Sequence, residues 1–233
     1  MRIVVMNFSG NVGKSTVSEH LLKPRFPGVK FISVESINAD DSLQDAIRGK
    51  DFGTVIEAAA LASNLVVDVG ASNVEDFIGR MKQYRGSHED LDLFLIPTVP
   101  SQKQQTDTVA TIEALSKLGI PGDKIRVVFN RVEPEMNVSK VFAKVLEHLR
   151  LEPDSFGADP AIFIQENELY GLLRGASVAE IATDPTPFDQ KIREASSKEE
   201  KLQWAKKRGL RRLAMGVNEE LDVVFRRLLP EAQ

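Results

Sequence analysis

The chain has no cysteine, one tryptophan, two tyrosines and three histidines among its 233 residues. Without cysteine, disulfides and thiolate metal sites are excluded, and three scattered histidines make no metal cluster. No apolar run approaches the roughly 20 residues needed to span a bilayer. Met1–Met6 leads straight into a glycine-bearing turn, which is not the layout of a signal peptide. These absences predict a soluble, cytoplasmic protein. A hydrophobic content of 42% is ordinary for a folded α/β domain with a sizeable core.

What is present is concentrated at the start, in MRIVVMNFSGNVGKST. Ile3, Val4 and Val5 form a short β-branched run suited to a buried parallel strand. The turn Ser9-Gly10-Asn11-Val12-Gly13 can fold its backbone N–H groups inward as an anion cradle, and the following helix adds its partial positive end. Lys14 would reach the β- and γ-phosphates of a nucleotide, Ser15 would place a hydroxyl on Mg²⁺, and Thr16 could donate to the α-phosphate. Gly10, Asn11, Val12 and Gly13 complete the cradle. The bland alternative is a strand–helix turn whose lysine points at water. The first glycine of the full G-x-x-x-x-G-K-[ST] pattern is replaced by Phe8.

Strand-like runs at Ile3–Met6, Lys30–Glu35, Leu65–Val69, Leu93–Ile96, Ile125–Phe129 and Ala161–Ile164 alternate with helical spacing at 15–22, 42–62, 74–84, 104–118 and 138–149. This rhythm predicts an α/β fold, a mostly parallel sheet with helices on both faces, whose ligands bind at the carboxyl ends of the strands. The boundaries expected are a nucleotide-binding domain over 1–183 and a helical C-terminal extension over 184–233, packed on the same domain and starting at the break Asp184-Pro-Thr-Pro187.

Other strand ends carry candidate chemistry. Asp68, at the tip of LVVDVG, would hold Mg²⁺ through water, and Gly70 could bring a backbone N–H to the γ-phosphate; a helix cap is the plainer alternative. After the second strand, Asp40 could act as a catalytic carboxylate beside Lys14 and Asp68, or Asp40 and Asp41 could cap the next helix. Asn130 has an amide that can pair with adenine and Arg131 can stack on the ring, although Asn also suits a turn.

The chain to about Thr183 resembles the ParA/MinD-type P-loop ATPases, through FSGNVGKST, the VVDVG strand end, FNR, and QENELYGLLRGASVAEIA at 165–182. The opening, together with FISVESINAD, looks closer still to StbB-like plasmid stabilisation proteins of conjugative plasmids. The resemblance implies ATP/ADP and Mg²⁺ as cofactors, a nucleotide-dependent homodimer, and a role in plasmid stabilisation, segregation or positioning linked to conjugation. It also implies a DNA-binding adaptor as partner, while the departure from the family's loop at Ser9 points to slow hydrolysis or to ATP binding as a switch. A small-molecule ATP-dependent enzyme of the dethiobiotin synthetase type is the alternative. The family's loop is K-G-G-x-G-K-[ST]; here Ser9 stands at its first lysine and Asn11 at its second glycine.

Between Lys191 and Arg212 lie nine basic residues against three acidic ones, in a chain of net charge −4. Four readings compete for this stretch: a solvated helix covering the core through Leu202, Trp204, Leu210 and Leu213, a nonspecific DNA surface, a membrane-surface helix, and a docking surface for a protein. Interleaved acids and a thin apolar face count against the membrane.

Overall fold

The computed structural model describes residues 1–35, 46–48, 52–151 and 157–230. Seven strands form one sheet in the order β3-β2-β4-β1-β5-β6-β7. They are β1 (Arg2–Val5), β2 (Lys30–Glu35), β3 (Ala46–Arg48), β4 (Leu65–Val69), β5 (Leu93–Thr98), β6 (Ile125–Val132) and β7 (Phe163–Gln165). Every pairing is parallel. From β1 the chain builds outward to β2, β3 and β4 on one side, then to β5, β6 and β7 on the other. Its carboxyl end is therefore the topological switch point, where a crevice opens in this kind of sheet.

The apolar runs follow from burial on two faces. Along β1, Val4 and Met6 point into one core layer and Ile3 and Val5 into the other, and all four are fully buried. The first layer is closed by α1 (Phe52–Leu61), α2 (Val74–Gln83), α3 (Gln102–Lys117), and the pair α4 (Val138–Val141) and α5 (Ala143–Leu151). The second is closed by the N-terminal helix Thr16–Leu22, by α6 (Leu169–Leu172) and α7 (Val178–Ala182), and by the last helix.

Two elements differ from the sequence-based expectation. The stretch 42–62 is not one helix: β3 pairs with β2 inside it, and α1 begins at Phe52. A three-residue edge strand is too short to show a period of its own. The helix expected over 138–149 breaks at Phe142, whose fully buried ring packs on Phe129 at 4.7 Å between centroids.

The C-terminal segment forms α8 (Phe188–Glu194) and the 31-residue α9 (Lys198–Leu228). The buried stripe of α9 starts only at Ala214 and continues through Val217, Leu221, Val224, Phe225 and Leu228, a helical period laid on the second core layer. Leu210 and Leu213 pack against that layer, but Leu202 is 56% exposed and Trp204 packs instead on Phe188. The first half of α9 thus covers α8 rather than the sheet.

Arg25 ties α9 to the body. Its guanidinium donates to the carbonyls of His20 and Leu21 at the end of the N-terminal helix, to the backbone and side-chain oxygens of Asn218, and to Asp222, at 2.8–3.1 Å. The Arg25 side chain is only 9% exposed, so these bonds are shielded from water. Arg25→Ala is expected to lower the unfolding free energy by about 2 kcal/mol, read as a lower urea midpoint. An unchanged midpoint would show that α9 is held by its apolar stripe alone.

Candidate functional site

The turn after β1 is built from the inside. Asn7 is fully buried; its amide donates to the Pro97 carbonyl at 2.9 Å and the Thr108 hydroxyl at 2.8 Å, while its Oδ1 accepts the Ser9 N–H at 2.8 Å. The Phe8 N–H reaches Thr111 on α3 at 3.1 Å, and Gln104 donates to the Gly10 carbonyl at 3.1 Å. One face of α3 therefore serves as a polar splint for the loop. Motif reading missed these residues, because burial of threonine and glutamine leaves no apolar periodicity to read.

Asn11 and Gly13 supply the bends, at φ +57° and +91°. Asn tolerates the left-handed region, so the position can dispense with the glycine of the K-G-G pattern. Gly13 cannot be replaced so easily, since a Cβ there would lie 1.8 Å from the Asn130 amide nitrogen. That amide donates to the Val12 carbonyl at 3.0 Å, and Asn130 Oδ1 accepts the Arg131 N–H at 2.9 Å. Asn130 is 2% exposed and braces the loop from below. Arg131, exposed and at φ +54°, sits where β6 loses register with β7.

The first backbone bond of the N-terminal helix runs from the Val17 N–H to the Gly13 carbonyl at 3.0 Å. The amides of Gly13, Lys14, Ser15 and Thr16 therefore have no intrahelical acceptor and can meet an anion. Gly10, Asn11 and Ser15 are exposed beside them. Lys14 donates to the Ser9 carbonyl at 3.0 Å, and burial pulls its pKa down against the pull of Asp68. Ser9 itself is buried, 7% exposed, with its backbone engaged on both sides.

Asp68 lies at the carboxyl end of β4, beside Val5 in the ladder, and is 8% exposed. Its Oδ2 accepts the hydroxyl of Ser18, not of Ser15, at 2.7 Å. Burial pushes its pKa up to about 6; the Ser18 bond and Lys14 oppose this, while Glu19 and Glu35 add to it. The Gly70 N–H expected near a γ-phosphate is instead spent on the Val34 carbonyl at 2.9 Å, a link to β2. Asp40 lies outside the described residues.

The arrangement fits a nucleotide and Mg²⁺ on its own chemistry: a helix start with open amides, a part-buried ammonium, and a carboxylate next to two further acids. Ser15 and Asp68 offer hard oxygen donors, and an Mg²⁺ that keeps phosphate oxygens and waters needs few more. A cavity of about 210 Å³ adjoins it, lined by Thr16, Asn130, Arg131, Gln165, Asn167 and Tyr170 among others. It brings the segment at 165–171 against the Asn130-Arg131 strand end. A larger cavity of about 400 Å³, between Glu19, His20, Lys23 and Glu180, includes neither Lys14 nor Asp68.

The buried carboxyl has a pH signature. The Asp68 pKa rises on folding from an ordinary 3.8 to about 6, so the folded chain holds that proton more tightly than the unfolded one. The stability it contributes is full below about pH 4 and is lost as pH rises through 6, by about 3 kcal/mol. Asp68→Asn keeps an acceptor for Ser18 and removes the titration. Urea unfolding between pH 4 and 7 should show the wild type losing stability relative to this variant; parallel curves would mean that Asp68 is ordinary in the folded state.

No family model matches the chain, and no curated protein does. Among solved structures the fold is similar to that of apo McdA from Cyanothece, with 16% identity over 94% of this chain and 98% of that one and a TM-score of 0.52. An ATP complex of Cyanothece McdA aligns at 16% identity over 95% of this chain and 96% of its own, with a TM-score of 0.48. The cell division protein MinD of Aquifex aeolicus aligns at 15% identity over 81% of this chain and 91% of its own, with a TM-score of 0.49. The parallel sheet flanked by helices, with its C-terminal helix, is the α/β fold shared with McdA.

Proposed function

We propose that the chain binds ATP and ADP with Mg²⁺ and acts as a ParA-like positioning protein. One observation carries this reading: Lys14, at the start of the helix that follows β1, and Asp68, at the end of the adjacent strand β4, are both withdrawn from water beside four open helix amides at the switch point of the sheet. Gly10, Asn11, Val12, Gly13, Lys14, Ser15 and Thr16 would hold the phosphates, Ser15 and Asp68 the metal, and Arg131 the base, with Asn130 at its edge. Asp40 would be the carboxylate that orients water.

Slow turnover is the expected regime. The position of the family's first lysine is held by Ser9, a short and buried side chain whose carbonyl is bound to Lys14. It cannot extend across a dimer interface to a second nucleotide. Nucleotide-dependent pairing of two chains would then rest on other contacts. Plasmid stabilisation and segregation linked to conjugation is the biological role that the sequence resemblance favours, with a DNA-binding adaptor supplying sequence specificity. The proposed location is the cytoplasm; no described helix is long and apolar enough to cross a membrane.

Binding titrations test the core of this. Lys14→Ala should weaken ATP affinity by about 100-fold, the loss of charge-assisted bonds to phosphate, with an unaltered circular dichroism spectrum. Asp68→Ala should weaken binding in Mg²⁺ and leave binding in EDTA unchanged. Unchanged ATP affinity in the Lys14 variant would end the nucleotide reading.

The basic segment is proposed to give nonspecific contact to DNA, through fewer residues than its charge suggests. Lys191 and Lys207 lie over Trp204 at 5.9 and 4.8 Å, Arg211 lies over Phe188 at 4.8 Å, and Arg208 pairs with Asp189. Lys198, Lys201, Lys206 and Arg212 are exposed along the same half of α9. Replacing these four by Gln should weaken binding to any DNA sequence alike and reduce the salt slope by about one for each phosphate no longer neutralised. Failure of the wild type to bind DNA in anisotropy titrations, with and without ATP, would leave DNA to the adaptor.

A further inference from the structure

Ser18 lies in the N-terminal helix three residues beyond the hydroxyl that the motif assigns to the metal. It is fully buried, and its hydroxyl donates across the sheet end to Asp68 at 2.7 Å, joining residues 50 apart in sequence. The helix is wound wide here, with the Lys23 N–H bonded to the Ser18 carbonyl five residues back. Wide turns of this kind re-aim side chains and recur at functional sites. The Ser18 hydroxyl is thus turned away from the carbonyls of its own helix, where a helical serine usually bonds.

A buried hydroxyl and carboxylate are a costly way to fill this space, since apolar side chains of the same volume would pack there without dehydrating a charge. What the pair provides is orientation. With Oδ2 taken by Ser18, the carboxyl plane is fixed, and Oδ1 is the oxygen left uncommitted among the described residues. Ligating carboxylates held by a hydrogen bond on their second oxygen bind metal more tightly than free ones.

We infer that Ser18 is a positioning residue for the metal: through Oδ2 it holds Asp68 with Oδ1 presented to a nucleotide-bound Mg²⁺. This rests on the nucleotide reading above. Ser18 touches neither metal nor nucleotide itself, so its effect passes wholly through Asp68.

The experiment titrates Mg²⁺ against binding of a fluorescent ATP analogue. Ser18→Ala should raise the Mg²⁺ concentration needed for half-maximal binding by about 10- to 100-fold, leave affinity in EDTA unchanged, and be rescued by Ser18→Thr. In an Asp68→Ala background, Ser18→Ala should add nothing, because the group it positions is gone. Thermal unfolding without metal reports the fold of each variant. A Ser18→Ala protein that stays folded and needs no more Mg²⁺ than the wild type overturns the inference and leaves the nucleotide reading standing. So does an additive effect in the Asp68→Ala background. A wild type with no Mg²⁺-dependent nucleotide binding overturns both.

Discussion

Two opposite charges kept partly out of water, Lys14 and Asp68, set the terms for the surrounding structure. Burial lowers the proton affinity of one and raises that of the other, and each partly relieves its partner. Neither is left to the other alone. Lys14 is held by the Ser9 carbonyl and Asp68 by the Ser18 hydroxyl. Those second partners must in turn be fixed, which is the work of Asn7 beneath the loop and of the wide-wound helix behind it. A dehydrated ammonium and carboxylate interact with phosphate and metal far more strongly than the same groups in bulk water.

The rigidity of the loop comes from polar groups buried where a core would ordinarily be apolar. Thr98, Gln105, Thr108 and Thr111 are all fully buried. Thr108 donates to the Gln104 carbonyl and receives from Asn7 and from the Thr98 hydroxyl, so one hydroxyl joins β5, α3 and the loop. Gln105, on the same helix, donates to the Pro100 and Val141 carbonyls at 3.1 and 2.9 Å and ties α3 to α4. Loss of the Thr108 or Thr111 hydroxyl would leave the Asn7 amide or the Phe8 N–H short of a partner, so changes on α3 would be felt in the loop after β1.

The fold was legible because strands buried on both faces declare themselves. The expected strands at 30–35 and 65–69 coincide with β2 and β4, and β5 and β6 begin at their expected residues. At the site, a motif places Lys14 and Ser15 at a helix start and Asp68 at a strand end, but it says nothing about which hydroxyl reaches the carboxylate. That depends on how tightly the helix is wound, which no local pattern encodes, so Ser18 was invisible. Asn130 shows the complementary case. Its position at a strand end was correctly anticipated, whereas the direction of its amide, toward Val12, depends on Gly13 having no side chain.

Charge counting is the weakest of these readings, for a physical reason. The nine basic residues at 191–212 suggest a free cationic surface, yet Trp204, Phe188 and Asp189 engage four of them. Lys191 and Lys207 hold their ammonium groups over the Trp204 ring, Arg211 its guanidinium over Phe188, and Arg208 pairs with Asp189. Arg211 also donates to the Asp184 and Thr186 carbonyls, fixing the Pro-rich break that leads into α8. The basic segment is thus first a means of packing α8 onto α9 with few apolar residues. Any partner of opposite charge meets what is left over, a smaller set of exposed cations on the first half of α9, because the rest of the charge is committed to the fold.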